Sequence, residues 1–364
     1  MAARRKLLLC VSLLSGFGLF GALVGFLLLP SSAIAQNDDD YHSCPTLRIE
    51  RIGDGPIIHA GLKGLEGKLD ENINGSALMR VPDWVQNPLG KYYLYFAHHK
   101  GKFIRLAYAD NIRGPWRIHV GGVLALESAP GLRDHVASPD IYIDEKNKLI
   151  QLYFHGVKSN AKMGYKDPQA TYVALSDDGL RFIVKPQEIG PPYLRVFKYR
   201  QKLYAVVKTA NGGEGSLARA PGLFQPFERG PVIIKRMRHA AVFVPRGAKA
   251  AIVAYTRIGD APEAIYYSCV QFIGPFEKWE ATKEHLLLRP ERDYEGANMP
   301  IIPSEENFIM GAVNQLRDPA FYVEKSDKLY LLYANAGESG ISLAEVKQAR
   351  PGSLSKFLGP IGRR

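Results

Sequence analysis

From about residue 72 to residue 346 the chain is built of short apolar stretches in which every second position turns polar or aromatic, separated by Gly, Pro and Asp. Alternation of period two with breaks of this kind predicts half-buried β-strands joined by tight turns. The strands recur in a fixed order: an apolar strand, a turn, a Tyr-rich strand, then a third strand. The second member is the plainest, reading LYFAHH from Leu94, LYFHG from Leu152, AVVKT from Ala205, AYTRI from Ala254 and LYANA from Leu332. Aligning Tyr95, Tyr153, Val206, Tyr255 and Tyr333 gives three intervals of similar length and a longer one from Tyr255 to Tyr333, so the last interval carries an insertion. Third strands follow as LAYADNIRGPW, YVALSDDGLRF, SLARAPGLFQPF, YYSCVQFIGPF and ISLAEV. Five copies of such a unit predict an all-β fold, a five-bladed β-propeller. A β-sandwich would give short alternating strands but not five parallel columns. No long amphipathic helix is apparent, which removes folds built from βα units. The fifth copy lacks a fourth strand, whereas Thr46 to Ala60 holds a strand-like stretch, so the N-terminal segment is expected to complete the last blade.

Residues 1–35 stand outside this pattern. Arg4, Arg5 and Lys6 precede an apolar run from Leu7 to Leu29 that leads to Ala33-Ile34-Ala35. This reads as a signal peptide cut after Ala35, and the run is also long enough to stay as a membrane anchor. Either way the remainder is exported, to a periplasmic or extracellular compartment. The expected organisation is a leader over 1–35, a ring-closing segment over 36–71, the propeller over 72–346 and a basic tail over 347–364. Losing the three basic leader residues lowers the net charge from +11 to +8, which favours anionic partners such as acidic glycans, cell-wall polymers or lipid head groups. Nucleic acid is not expected, because no basic run is interleaved with stacking aromatics. Beyond the leader only Cys44 and Cys269 remain, which allows one disulfide or two inert thiols. No zinc-type Cys/His spacing occurs, so no cofactor or transition metal is expected. A monomer is expected.

The blades resemble those of glycoside hydrolase family 43 and, more distantly, its invertase-like relatives. The resemblance covers residues 72–346 and rests on NGSALMRVPDW…KYYLYFAHH from Asn74, SPDIYIDEKNKLIQLYF from Ser138 and LRDPAFYVEKSDKLYLLY from Leu316. It implies a glycosidase whose first strands project an Asp base, an Asp modulator and a Glu acid from blades one, two and three into an axial cavity. Two such carboxyl groups with water between them hydrolyse with inversion. Asp140 matches the modulator. Blade one has Asn74 at the base position, and an amide accepts no proton there; blade three reads Tyr193-Leu194-Arg195, with no Glu. An axial Ca²⁺, which some relatives hold, finds no carboxylate cluster in this sequence.

If the first strands line the axis, the residues facing one another are Asn74, Ser138, Asp140, Arg195, Arg238, His239, Arg317 and Asp318. His155, Lys208, Arg257 and Asn335 join them from the second strands, with His98 and His99 at the rim. The expectation is a cationic cavity suited to a uronate, sulfate or phosphate, since Arg offers such groups a planar fork of donors. Arg317-Asp318-Pro319 resembles the Arg-Asp-Pro of the invertase-like relatives, in which the Asp binds sugar. Ser138 and Asp318 precede their column tyrosines, Tyr153 and Tyr333, by the same interval. Ser138 and Asp140 share a face by strand alternation, so both Asp residues should point to the axis. Asp140 is expected nearer the reacting centre, and Asp318 as an orienting group. The insertion contributes Asp293-Tyr294-Glu295, where Glu295 is either the missing acid or a solvated surface residue. Three functions compete. The first is a glycosidase on an acidic or anionic oligosaccharide, using Asp140, Asp318 and Glu295. The others are a polysaccharide lyase using His or Tyr with Arg, and a glycan-binding propeller without turnover.

Overall fold

Strand alternation is realised almost throughout in the computed structural model, which describes residues 44–65, 71–162, 168–209, 213–306 and 309–348. The leader lies outside the described residues, as does all of the basic tail after Gln348. Two strands precede the repeats, β1 (Leu47–Ile52) and β2 (Ile58–His59). Blade I comprises β3 (Asn74–Arg80), β4 (Tyr92–Ala97), β5 (Phe103–Ala109) and β6 (Arg117–Ala125); blade II comprises β7 (Leu132–Asp144), β8 (Leu149–Lys158), β9 (Gln169–Ser176) and β10 (Ile183–Val184). Blade III holds β11 (Arg195–Tyr199), β12 (Lys202–Lys208), β13 (Gly215–Ala220) and β14 (Glu228–Ile234). Blade IV holds β15 (Met237–Phe243), β16 (Ala250–Arg257), β17 (Ile265–Gln271), β18 (Glu280–Ala281) and β19 (His285–Leu288). Blade V is formed by β20 (Arg317–Val323), β21 (Leu329–Asn335) and β22 (Gly340–Gln348), with β1 as its outer strand and β2 also paired to β22. Among the described residues the only helical pieces are 3-10 turns, and no helix is long and apolar enough to cross a membrane.

All five sheets are antiparallel meanders whose first strands meet around one axis. β1 runs antiparallel to β22, with Leu47 opposite Gln348 and Ile52 opposite Leu343, so the fifth sheet draws strands from both ends of the described chain. Cys44 is disulfide-bonded to Cys269 on β17, tying that outer strand to blade IV. The core lies in the seams between blades. Met79, Tyr95 and Ile104 pack on Val136, Leu152 and Phe154 between blades I and II, and Leu94 and Phe96 pack on Tyr322, Leu332 and Ile341 between blades V and I. Each such side chain contributes about 1.5–3 kcal/mol by leaving water.

One register differs from the sequence expectation. Tyr95, Tyr153 and Val206 face the following blade, but Tyr255 packs with Phe197 and Val206 of the preceding one, and Tyr333 packs with Ile252 and Ala254 of blade IV. Ala254 and Leu332 are the true counterparts of Tyr95 in the blade-to-blade sense. A displacement of one residue moves a strand side chain to the other face.

The cavity ends of the first strands of blades I, II, IV and V share a β-bulge, whereas β11 of blade III pairs regularly. The pairing jumps from Asn74↔Ala97 to Ala77↔Tyr95, from Ala137↔His155 to Asp140↔Tyr153, and from Arg317↔Ala334 to Ala320↔Leu332, with a like jump between Met237 and Ala240. The extra residues include Gly75, Ser138 and Asp318, all with φ between +46° and +62°. Bulges re-aim side chains that a regular ladder would keep in the seams. At Gly75 a Cβ would stand 3.1 Å from the Ser138 Cα, so glycine is what lets these two strands meet at the axis.

Candidate functional site

The bulges surround a small polar cavity of about 20 Å³, lined by Asn74, His99, His135, Ser138, His155, Gln169, Tyr193, His239 and Asp318. That space holds roughly one water rather than a sugar ring. Among the described residues Asp318 is the one carboxylate lining it. Its Oδ1 lies 3.2 Å from His239 Nδ1, and both side chains are buried. Burial first, and then the nearby charge of Glu338, push the Asp318 carboxyl up to about 6 against the pull of Arg238, Arg195 and Arg317. Burial and the surrounding guanidiniums drive His239 well below the ordinary imidazole range, so it is neutral at pH 7. Asp318 thus titrates closer to neutrality than an ordinary carboxyl.

Aromatic rings continue from this pair. Tyr193 lies 5.1 Å from His239 and 4.3 Å from His155 between ring centroids, and His155 meets His135 edge-on at 6.1 Å. Tyr193 takes a left-handed backbone conformation, φ 59°, a strained state of the kind that collects at functional positions. Burial raises its phenol, lowers His155 well below its usual value, and brings His135 down to about 4. His155 Nδ1 is buried without a hydrogen-bond partner among the described residues. Lys208 sits 5.4 Å over the Tyr193 ring and 3.3 Å from Glu306.

Beneath the cavity lies a charge cluster that sequence reasoning missed. Glu338, in the turn between β21 and β22, receives Arg317 Nη1 at 2.7 Å, Arg238 Nη2 at 3.4 Å, Asn72 Nδ2 at 2.6 Å and Asn74 Nδ2 at 3.0 Å, and lies 3.6 Å from His99. Burial opposes its charge, but contact with His99 and the two guanidiniums holds its carboxyl down to about 2. Glu263 pairs with Arg317 at 3.0 Å and Arg238 at 3.8 Å. Arg195 instead spans three blades, donating to the backbone carbonyls of Ala240, Ser138 and Pro139. Three guanidiniums thus face Glu263, Glu338 and Asp318, and the axis is close to charge-balanced rather than cationic. Glu338 and Glu263 left no periodic signal, because both stand in the connections between second and third strands, Glu338 in a turn and Glu263 in an isolated bridge to Gln315.

The remaining predicted residues lie apart from the cavity. The Asp140 carboxylate accepts the Val196 N–H at 2.9 Å across the seam between blades II and III, and burial raises its pKa. Glu295 is neither open acid nor surface residue. It is buried, bonded to Arg51 at 2.7 and 3.0 Å, to the Tyr333 hydroxyl at 2.8 Å and to the backbone N–H groups of Glu291 and Arg292. It clasps β1 to the insertion. His98 accepts the Lys100 N–H in a turn, and Arg257 pairs with Asp260 and Glu284 away from the axis. Asn335 donates to Tyr294 O and Ser342 Oγ. Among the described residues no group of three His, Cys, Asp or Glu side chains is placed to hold a metal ion.

Five antiparallel sheets around an axis, with the polar cavity at the start of the first strands, define a five-bladed β-propeller, the fold shared by solved structures of glycoside hydrolase family 43 enzymes. Solved structures with this fold include a GH43_1 enzyme from Xanthomonas citri, 14% identical with a TM-score of 0.53, covering 80% of this chain and 90% of its own. Another is a GH43 β-xylosidase/α-arabinofuranosidase from a compost microbial metagenome, 13% identical with a TM-score of 0.52, covering 82% and 94%. No family model matches the sequence. An uncharacterized protein of Acanthamoeba polyphaga mimivirus is 31% identical over 331 residues, covering 82% of this chain and 90% of that protein, and the chain belongs to its family.

Proposed function

We propose that this protein is an exported, glycan-active propeller that grips one sugar unit at the axial mouth and hydrolyses its glycosidic bond. The observation carrying this reading is Asp318. It is a buried carboxyl raised to about 6, in contact with neutral His239, in the lining of the cavity. A carboxyl poised near the working pH suits a general acid or base. Glu338, held near 2 and saturated with donors, acts on Asp318 through its charge, giving the pair of unequal carboxyls that such chemistry uses. His99 and Tyr193, which line the cavity, would contact hydroxyl groups of the sugar, while Asn74 stays committed to Asn72 and Glu338. Structures of the Xanthomonas citri enzyme hold xylose and xylotriose, which supports an oligosaccharide as substrate. An anionic oligosaccharide is favoured by the positive net charge of the chain, since the axial arginines are already neutralised. The Cys44–Cys269 bond supports an oxidising, exported location.

A second reading is favoured by one observation, the Tyr193–His239–His155 array beside a lone lining carboxylate. Such a site suits proton removal next to a uronate carboxylate, the chemistry of a lyase. Incubation with neutral and uronate-containing oligosaccharides, followed by reducing-end and unsaturated-product detection, separates the two. Reducing ends without unsaturation, lost in Asp318→Asn, are expected. Unsaturated product means elimination, and binding without either product means a glycan-binding propeller.

A further inference from the structure

The first strands start at the cavity and run away from it, so the hairpins joining first to second strands lie at the opposite end of the propeller. In blades III and IV two of these hairpins flank a groove of about 340 Å³ whose lining includes Lys198, Tyr199, Arg200, Arg246 and Lys249. The four cations are exposed, no carboxylate among the described residues lines the groove, and exposed Lys202 stands beside it at the start of β12. Exposed apolar side chains share this end: Leu89 in the β3–β4 connection, Leu223 after β13, Ile273 after β17 and Val323 closing β20. Exposed Asp83, Glu145, Glu277 and Asp327 stand on other hairpins of this end, so its cationic part is the groove of blades III and IV. Cations beside apolar tips suit a surface that lies on head groups, with the cations on anionic lipid and the tips at the acyl boundary.

The chain enters the propeller at this same end. Leu47 is paired with Gln348, the last residue of β22, and Cys44 is bonded to Cys269, near the end of β17. In sequence, only the short stretch from Pro30 to Ser43 separates the apolar run ending at Leu29 from Cys44. We propose that this face, centred on Lys198, Arg200, Arg246 and Lys249, rests on an anionic lipid surface, with the cavity turned away from the bilayer. This rests on the apolar run being kept as an anchor and is independent of what the cavity does. Each cation within a Debye length of such a surface strengthens the contact roughly five-fold at low salt, and salt screens it.

The test uses the full chain reconstituted through its apolar run into nanodiscs of phosphatidylcholine alone or with phosphatidylserine. Accessible amines are labelled with a water-soluble reagent and read by mass spectrometry. Lys198, Lys202 and Lys249 are expected to label several-fold more slowly on the anionic discs, with the difference lost at high salt, while Lys100 at the cavity end is unchanged. In the combined variant Lys198→Glu, Arg200→Glu, Arg246→Glu and Lys249→Glu, Lys202 should label equally on both discs; all four sites are exposed, and circular dichroism verifies folding. Equal labelling of the natural chain on both discs overturns the proposal. So does equal protection by a soluble acidic polysaccharide without anionic lipid, which assigns the face to a glycan instead.

Discussion

Replacing Glu338 with Gln tests whether the axial charge cluster sets both stability and the proton affinity of Asp318. The carboxyl sits at about 2 when folded, against an ordinary 4.5. A folded pKa below the unfolded one contributes stability that is present above 4.5 and lost as pH falls towards 2. The gap is worth about 3 kcal/mol at 1.36 kcal/mol per unit. Independent reasoning from unpaired buried charge gives a similar size, about 3–5 kcal/mol for removing one partner of a buried ion pair. Arg317 would keep Glu263 at 3.0 Å, which argues for the lower end. Urea denaturation from pH 3 to 8, followed by intrinsic fluorescence, should show Glu338→Gln less stable by about 3 kcal/mol at pH 7, with the gap narrowing to about 1.4 kcal/mol at pH 3, one unit above the folded pKa. Asp318, freed of a like charge, should titrate below its present value of about 6. A loss under about 1 kcal/mol with an unchanged pH profile would refute the account, because it would mean that Glu338 does not hold the guanidiniums.

Three further outcomes are expected. Asp318 has its folded carboxyl at about 6 against 3.8 unfolded, so its share of stability is complete below 3.8 and is lost as pH rises through 6; Asp318→Asn should remove a decline of about 3 kcal/mol across that window, seen in the same titration, and abolish turnover. Cys44→Ala with Cys269→Ala should cost about 2–5 kcal/mol in thermal denaturation, since the bridge spans 225 residues; a shift of less than about 1 °C would show that β1 holds without it. Asp140→Asn should leave turnover within about two-fold and stability within about 1 kcal/mol, because an amide oxygen still accepts the Val196 N–H; loss of turnover would return Asp140 to the reacting centre.

Sequence alternation made the five sheets legible because burying one face of a strand forces period two, and no helix competed for those segments. The N-terminal strand was legible for a related reason: the fifth repeat ran out of strands. The place of Asp318 in the cavity lining was legible from its position in the repeat. The same rule aimed Asp140 at the axis, but Ser138 and Asp140 share a face only in a regular ladder, and the bulge between Ala137 and Asp140 breaks the alternation. The Tyr255 and Tyr333 misalignment has the same root, because side-chain identity cannot reveal a one-residue slip when both faces of a strand are apolar. Glu338 and Glu263 were invisible because each is defined by partners far away in the chain. Arg238, for example, lies 100 residues from Glu338. The arginines therefore read as a cationic pocket until their counter-ions were placed.

Among the described residues β1 is the first sheet strand to be synthesised and among the last to find its partner, since Ile52 must wait until Leu343 has been made. At roughly 5–20 residues per second, an emerging chain would hold Leu47–Ile52 without its neighbour for about 15–60 s. Over that interval the segment is an unsatisfied edge, free to pair with another nascent copy. Two copies exchanging β1 would each complete the other's fifth sheet with the same hydrogen bonds. The topology that seals one ring thus carries an inherent route to strand-exchanged dimers, whose yield should rise with the rate of expression.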